Sequence, residues 1–325
     1  MRTRAGAQLQ VALIARAARP AVAALLAGVL AFPLASACSP ASGGSGTAAN
    51  GAIEAIGAEN EYASVISQVG GGYVHVDAIM SNPSTDPHAY EASPAVAREI
   101  GSARLIVQNG VGYDPWATTI LNAAPDPARE VINVQRLLGL PDSTPNPHLW
   151  YDPATMPKVA RAVAAALAAI DPPHAAYFKA SAARFTASLA AWNSALKAFK
   201  AAYPGAPVAT TEPVADYMLD AAGADNLTPW TFQADVMNGV DPAPQDVAAV
   251  KALFTGHKVK AFLYNQQVTS PLTQSFIATA NASGIPVVGV YETMPTPGYD
   301  YQSWMLAEVR ALTGAVADQA STPRL

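Results

Sequence analysis

Short apolar runs that alternate with helical segments constrain the fold of this chain more than any other feature. The runs occupy residues 53–58, 73–80, 104–108 and 131–134 in the first half, and 206–210, 259–264 and 285–290 in the second. Strands that alternate with helices are typical of parallel α/β sheets. We therefore predict an α/β fold of two lobes, each a parallel sheet flanked by helices.

A long helical segment separates the two sets of strands. Its apolar side chains, from Tyr177 to Phe199, recur at helical spacing. About 28 residues of helix span about 42 Å at 1.5 Å per residue, which is enough to pass from one lobe to the other. We expect a linking helix over 175–203, an amino-terminal lobe over 52–174 and a carboxyl-terminal lobe over 204–325.

Residues 1–38 are predicted to be a signal peptide rather than part of the fold. Basic residues precede an uncharged apolar run over 20–37, and small residues stand just before Cys38. A transmembrane anchor is the alternative, because the run is close to the ~18 residues that suggest one.

Cys38 is the only cysteine, so the chain has neither an internal disulfide nor a cysteine-built zinc site. The segment before it resembles a bacterial lipobox, in which the cysteine is lipidated; an ordinary cleavage site is the alternative. Residues 39–51 are rich in Gly, Ser and Ala and are predicted to be a flexible tether. The expected location is the cell envelope, lipid-anchored at the outer face of the cytoplasmic membrane, or periplasmic.

Two short phrases nearly repeat each other around two of the five histidines: Asp-Pro-His-Ala-Tyr-Glu at His88 and Asn-Pro-His-Leu-Trp-Tyr-Asp-Pro at His148. Each sets an imidazole after a proline in a polar turn, and neutral imidazole is the commonest side-chain metal ligand. Glu212 and Glu292 each follow a predicted strand of the second lobe, where its carboxyl end lies. Two imidazoles and two carboxylates balance the charge of one divalent cation, so these four residues are the predicted metal ligands.

These motifs resemble those of the zinc/manganese ABC-transporter solute-binding proteins. The phrases at His88 and His148, the run Thr-Glu-Pro-Val-Ala-Asp-Tyr at Glu212, and residues 241–246 and 258–265 carry the resemblance in order along nearly the whole mature chain. It implies two lobes, a rigid linking helix and one metal ion bound between the lobes as cargo. It also implies delivery to a membrane permease that a separate ATPase drives. We expect a monomer with this permease as partner, held to the membrane by its lipid anchor.

The family's fourth ligand is usually Asp, whereas this chain has Glu292 after the last strand, with Asp300 as the fallback. His75, His174 and His257 match no motif and are predicted not to be ligands. Trp150 and Tyr90 are expected to pack beside the site and keep it dry.

The ligand set alone suits zinc or manganese, and iron is not excluded. Zinc-specific members often carry a histidine-rich loop between the first two ligands, and residues 109–147 contain no histidine. This tilts the prediction toward Mn²⁺, or toward a loop-less group that carries Zn²⁺. Metal release is expected as the pH falls through about 5–6.5, where histidine takes up a proton.

We predict capture rather than catalysis. Four protein ligands leave little room for the water that a hydrolytic metal site activates, and no H-E-x-x-H or G-x-S-x-G string occurs. A secreted metal-dependent hydrolase, with Glu292 as its base, is the first alternative, and a surface adhesin is the second. The net charge of −5 argues against a nucleic-acid partner.

Overall fold

The computed structural model describes residues 51–325. The predicted signal peptide, Cys38 and all of the predicted tether except Gly51 lie outside the described residues. Within 51–325, no helix has both the length and the apolar character that crossing a membrane requires.

Four parallel strands form the first sheet, in the order β2-β1-β3-β4. They are β1 (Ile53–Glu59), β2 (Val74–Met80), β3 (Leu105–Gln108) and β4 (Glu130–Asn133). The helices of this half are α1 (Asn60–Gly70), α2 (Pro94–Ser102), α3 (Pro115–Ala123), α4 (Val134–Leu138) and α5 (Thr155–Ile170). All four strands end at the same edge of the sheet, so the loops that follow them converge there.

The step from β1 into α1 depends on a glycine. A Cβ on Gly57 would lie 2.3 Å from the backbone nitrogen of Ala63, which is far inside van der Waals contact. Gly57 therefore lets the helix turn back directly against its own strand.

The second sheet is also parallel, in the order β6-β5-β7-β8. Its strands are β5 (Ala206–Thr210), β6 (Ala224–Asn226), β7 (Ala261–Asn265) and β8 (Val287–Val290). Its helices are α8 (Asp216–Ala222), α9 (Trp230–Met237), α10 (Pro244–Thr255), α11 (Pro271–Ala282) and α12 (Tyr301–Asp318). The predicted fold of two parallel sheets flanked by helices is confirmed. The sequence analysis missed β6, because this three-residue strand contains two polar residues and no apolar run.

The predicted linking helix is two consecutive helices, α6 (Ala175–Ser188) and α7 (Ala190–Ala202), with the buried Leu189 between them. Helix α6 packs against α1 and α5 of the first half, whereas α7 packs against α8 and α12 of the second. The segment thus touches both halves, but as two helices rather than one. Neither Gly nor Pro occurs near Leu189, so the sequence carries no local signal for the break.

A single apolar cluster runs through both halves. It includes Tyr62 and Trp150 from the first half, Trp192 from α7, and Tyr301 and Trp304 from α12, each of them fully buried. The Tyr301 hydroxyl donates to the carbonyl of Trp150 at 2.5 Å. Continuous packing of this kind holds the two sheets in a fixed relation and fixes the loops between them.

Candidate metal centre

The candidate site forms where loops that follow strands of both sheets meet. The structure brings together His88, His148 and Glu292, with one ligand atom from each lying within 4.8 Å of the others. His88 comes from the loop after β2, and Glu292 from the loop after β8. His148 and Glu292 are fully buried, and the His88 side chain is 21% exposed. Three of the four predicted ligands therefore meet.

The two near-identical phrases build the same local turn. The Asp86 side chain accepts a hydrogen bond from the backbone N–H of His88 at 2.9 Å, and Asn146 does the same for His148 at 3.0 Å. In each phrase a short polar side chain accepts from the residue two positions on, across an intervening proline. The repeat in sequence is thus a repeat in structure that fixes each imidazole.

One carboxylate oxygen faces both imidazoles. Oε2 of Glu292 lies 3.0 Å from Nε2 of His88 and 3.1 Å from Nε2 of His148. Two ligands at ~2.0–2.1 Å from a tetrahedral zinc ion stand ~3.3 Å apart. The Glu292 oxygen thus lies at nearly the spacing from each imidazole that a small divalent ion imposes.

The orientation of His148 shows what kind of group belongs between it and Glu292. The Asn146 amide nitrogen donates to the carbonyl of Pro213 at 2.8 Å, so its Oδ1 must be the atom 2.8 Å from Nδ1 of His148. A carbonyl oxygen only accepts, so Nδ1 carries the hydrogen. In neutral His148, Nε2 then presents a lone pair to the Glu292 oxygen. Two electron-rich atoms at this distance need a proton or a metal ion between them.

The electrostatics favour a metal ion over a proton there. Burial lowers the pKa of His148 despite the neighbouring Glu292, which disfavours the imidazolium. Burial also opposes the charge on His88, but Glu292, with help from Asp86, outweighs it and raises the pKa of His88. Although burial alone would raise it, the pKa of Glu292 is held far below its usual range by the two histidines. Glu292 is therefore an anion in a buried, nearly dry site.

Glu212 is buried nearby but stands outside the close group of three ligand atoms. Its Oε1 accepts from the amide of Asn265 at 3.1 Å, whereas its Oε2 is buried with no hydrogen-bond partner. Burial, followed by the charge of Glu292, raises the pKa of Glu212 well above its usual range. An unpartnered buried carboxylate oxygen is costly, which a bound cation would relieve.

The sequence analysis missed two neutral residues that hold the carboxylates. The Asn265 amide nitrogen donates to Glu292 at 2.6 Å as well as to Glu212, so one amide bridges both acids. The Tyr113 hydroxyl donates to Oε2 of Glu292 at 3.0 Å. Tyr113 sits just after β3 and Asn265 is the last residue of β7, so their positions at strand ends were the available signal.

Asp300, the fallback ligand, is not part of the site. It caps the amino terminus of α12, where its side chain accepts from the backbone N–H of Ser303. The expectation that Trp150 packs beside the site is confirmed, because its ring meets that of His148 edge-on with centroids 5.4 Å apart. Tyr90 instead packs on Trp116, at 5.2 Å.

Comparison with known proteins assigns the family. The sequence model of the ZnuA family, described as zinc-uptake complex component A, periplasmic, matches residues 58–315. The chain belongs to this family. A protein of Treponema pallidum (strain Nichols) to which metal binding is ascribed is 26% identical over 143 residues, and the match spans 44% of that protein's length.

Solved structures of metal-binding proteins share the fold of this ZnuA-family chain. FpvC of Pseudomonas aeruginosa in complex with Mn²⁺ has a TM-score of 0.68 at 20% identity, over 83% of this chain and 100% of that one. The periplasmic zinc-binding protein TroA of Treponema pallidum has a TM-score of 0.67 at 18% identity, over 83% and 100%. A Cd-bound periplasmic metal-binding protein of Candidatus Liberibacter asiaticus has 0.67 at 18%, over 81% and 99%.

Proposed function

We propose that this ZnuA-family protein captures one divalent transition-metal ion between its two lobes and delivers it to the permease of a metal ABC transporter. The contact between Nε2 of His148 and Oε2 of Glu292 carries the proposal, because these atoms require a cation between them and burial disfavours a proton. The ion is cargo, so the site must both bind and release it.

The proposed ligands are His88, His148, Glu212 and Glu292. One ligand atom from each histidine and one from Glu292 already lie within 4.8 Å of one another, close enough to share one ion. Glu212, whose Oε1 accepts from the Asn265 amide, supplies the fourth through its unpartnered Oε2 once its side chain moves toward the other three. Two carboxylates then neutralise the divalent charge, as a buried ion requires.

The proposed cargo is Zn²⁺ or Mn²⁺. Two imidazoles suit zinc, and two carboxylates suit the harder manganese ion. Structural relatives include one solved with Mn²⁺ and one described as zinc-binding. Because zinc lies above manganese in the Irving–Williams order, we expect the purified protein to bind zinc more tightly whichever ion it carries in the cell.

Binding rather than hydrolysis fits the burial of the site. Glu292 and His148 expose no side-chain surface, and Tyr113 and Asn265 already occupy the remaining contacts of Glu292. A hydrolytic metal centre keeps a coordination position open for water and for substrate.

The proposed architecture has an amino-terminal lobe over 52–174 and a carboxyl-terminal lobe over 204–325, behind a signal peptide and a lipid anchor at Cys38.

Calorimetric titration with Zn²⁺ and with Mn²⁺ tests the proposal. Wild-type protein should bind one ion tightly, and His148→Ala should weaken that binding by more than about 100-fold. The matched control is His257→Asn, because His257 lies outside the site at φ 49° and Asn tolerates positive φ. Tight binding that survives in both His148→Ala and Glu212→Ala would show that the site is wrong. Zinc or manganese found by elemental analysis of protein from its native envelope would identify the cargo.

A further inference from the structure

A second group of potential ligands lies on the first sheet, away from the strand ends that form the proposed cargo site. Glu54 is the second residue of β1, and His75 is the second residue of β2. The cargo site lies beyond the carboxyl ends of the strands, so these residues occupy the opposite end of the sheet. His75 was predicted not to be a ligand, because its partner Glu54 becomes visible only through strand pairing.

Strand register places the three side chains on one face. Glu54 and His75 are directly paired across the parallel strands β1 and β2, and Asp77 follows His75 by two positions. Side chains two residues apart on a strand point the same way, so Asp77 joins the pair. Farther along the same face, Ile56 and Ile79 pack with Ile100 and Val96 of α2, which leaves the amino-terminal end of the face uncovered.

The distances suit one metal ion. Nδ1 of His75 lies 2.9 Å from Oε2 of Glu54 and 3.8 Å from Oδ2 of Asp77. These values bracket the ~3.3 Å between neighbouring ligands of a tetrahedral zinc ion. The three ligand atoms all lie within 4.8 Å of one another, as do those of the cargo site.

The group is open to solvent, and within residues 51–325 no lysine or arginine competes for it. The side chains of His75 and Asp77 are 57% and 54% exposed, so water can fill the remaining coordination positions. In the described part of the chain, neither Glu54 nor Asp77 forms an ion pair with a lysine or arginine. The strands fix all three backbones, so only the side chains must be ordered when an ion binds.

We propose that Glu54, His75 and Asp77 form a second, exposed binding site for a divalent transition-metal ion. One imidazole and two carboxylates suit Zn²⁺ and Cu²⁺. Because the second site offers three partly exposed ligands and the cargo site offers four that are mostly buried, the second site binds more weakly and exchanges its ion with the surrounding solution. The inference does not depend on the identity of the cargo.

Equilibrium dialysis of the whole chain against Zn²⁺ tests the site in the His148→Ala background, where the cargo site is disabled. This variant should retain one weakly bound ion, and adding His75→Ala should remove it. Asp77→Asn should weaken the binding about tenfold. The matched control, His257→Asn in the same background, should leave the count unchanged.

A count that stays the same after His75→Ala, or that falls equally with His257→Asn, would overturn the second site. In the same His148→Ala background, where the tighter cargo site is disabled, paramagnetic Cu²⁺ provides a positional readout. It should broaden the backbone amide NMR signals of residues 53–55 and 74–78 first. Broadening confined to other parts of the chain would also overturn the proposal. Loss of tight binding in His148→Ala alone would bear only on the cargo site.

Discussion

Oδ1 of Asn146 accepts the hydrogen of His148 Nδ1 at 2.8 Å, and this one contact decides which imidazole nitrogen faces the cargo site. The same oxygen accepts from the backbone N–H of His148, so one amide sets both the turn and the tautomer. Hydrogen bonds of this kind to the second nitrogen of a metal-binding histidine orient the ring and raise its basicity.

Asn146→Ala should therefore weaken zinc binding by about 10- to 100-fold, because His148 is freed to rotate and to change tautomer. Titration calorimetry measures the loss. Asp152→Ala is the matched control, since Asp152 makes the same kind of turn bond to Ala154 N–H but holds no imidazole. Equal losses in the two variants would contradict the role given to Asn146.

Asn265→Ala should destabilise the metal-free protein. The change leaves Glu212 and Glu292 without the amide that both accept from, and an unsatisfied buried acceptor costs about 1–3 kcal/mol. We expect a loss of at least about 2 kcal/mol in the free energy of unfolding, measured in urea. Asn281→Ala, on the exposed face of α11, should change it by less than about 0.5 kcal/mol. If the variant is as stable as wild type, the Asn265 amide does not stabilise the two buried carboxylates.

Tyr113→Phe should lower metal affinity about tenfold while leaving the fold intact. The hydroxyl is the third polar group around Oε2 of Glu292, and it positions this oxygen without contributing to the charge. Competition with a zinc-sensitive dye measures the change. Tyr203→Phe, at the end of α7, is the control and should bind as wild type does. An unchanged affinity in Tyr113→Phe would remove this residue from the site.

Metal affinity should decrease as the pH is lowered. The decrease should begin at a higher pH than it would for a histidine with the ordinary pKa. A proton competes with the ion at each imidazole. Burial lowers the pKa of His88, but the neighbouring Glu292 raises it by more, so the net pKa is raised. Displacing one proton changes the affinity about tenfold per pH unit. Zinc titrations between about pH 5.5 and 8 measure the slope. An affinity that stays constant over this range would exclude His88, whose pKa is raised, as a ligand.

Glu308 predicts a separate pH dependence that does not involve metal. Burial raises its pKa to about 8, although Trp304 and Tyr151 donate to it. Between the unfolded value near ~4.3 and this value, the folded protein holds a proton that the unfolded chain has lost. The contribution of Glu308 to the free energy of unfolding is therefore fully present at low pH. As the pH rises toward about 8, this contribution, a few kcal/mol in all, is lost.

Glu308→Gln removes that titration, so stability should fall less steeply with pH in the variant than in wild type. Urea unfolding at pH 5.5 and at pH 8 compares the slopes over the range that the raised pKa predicts. Identical slopes in the two proteins would mean that Glu308 is not protonated in the native state.

Local sequence predicted those parts of the site that depend on local structure. The phrases around His88 and His148 form their turns from neighbouring residues, and Glu292 was found because charged residues at the ends of parallel strands converge. Tyr113 and Asn265 were missed because neutral side chains after strands are common, and only the three-dimensional arrangement shows which of them reach a carboxylate.

Long-range packing explains the other differences. The helical pattern over 175–202 was correct except at Leu189, where α6 and α7 separate because each packs on a different half of the molecule. Likewise the sequence around His75 shows only Asp77 as a possible partner, because Glu54 reaches His75 only through the pairing of β1 with β2.

The meeting of Glu292 with both imidazoles has a consequence for turnover. The carboxylate balances the charge of a proton on His88, whose pKa it raises, so the interior keeps its balance of charge when no ion is present. In the proposed transport role, the protein then has no need to expose a bare buried charge each time it releases an ion. Its resting form can stay closed and folded, and protons from the surroundings can take over the role of the departing ion.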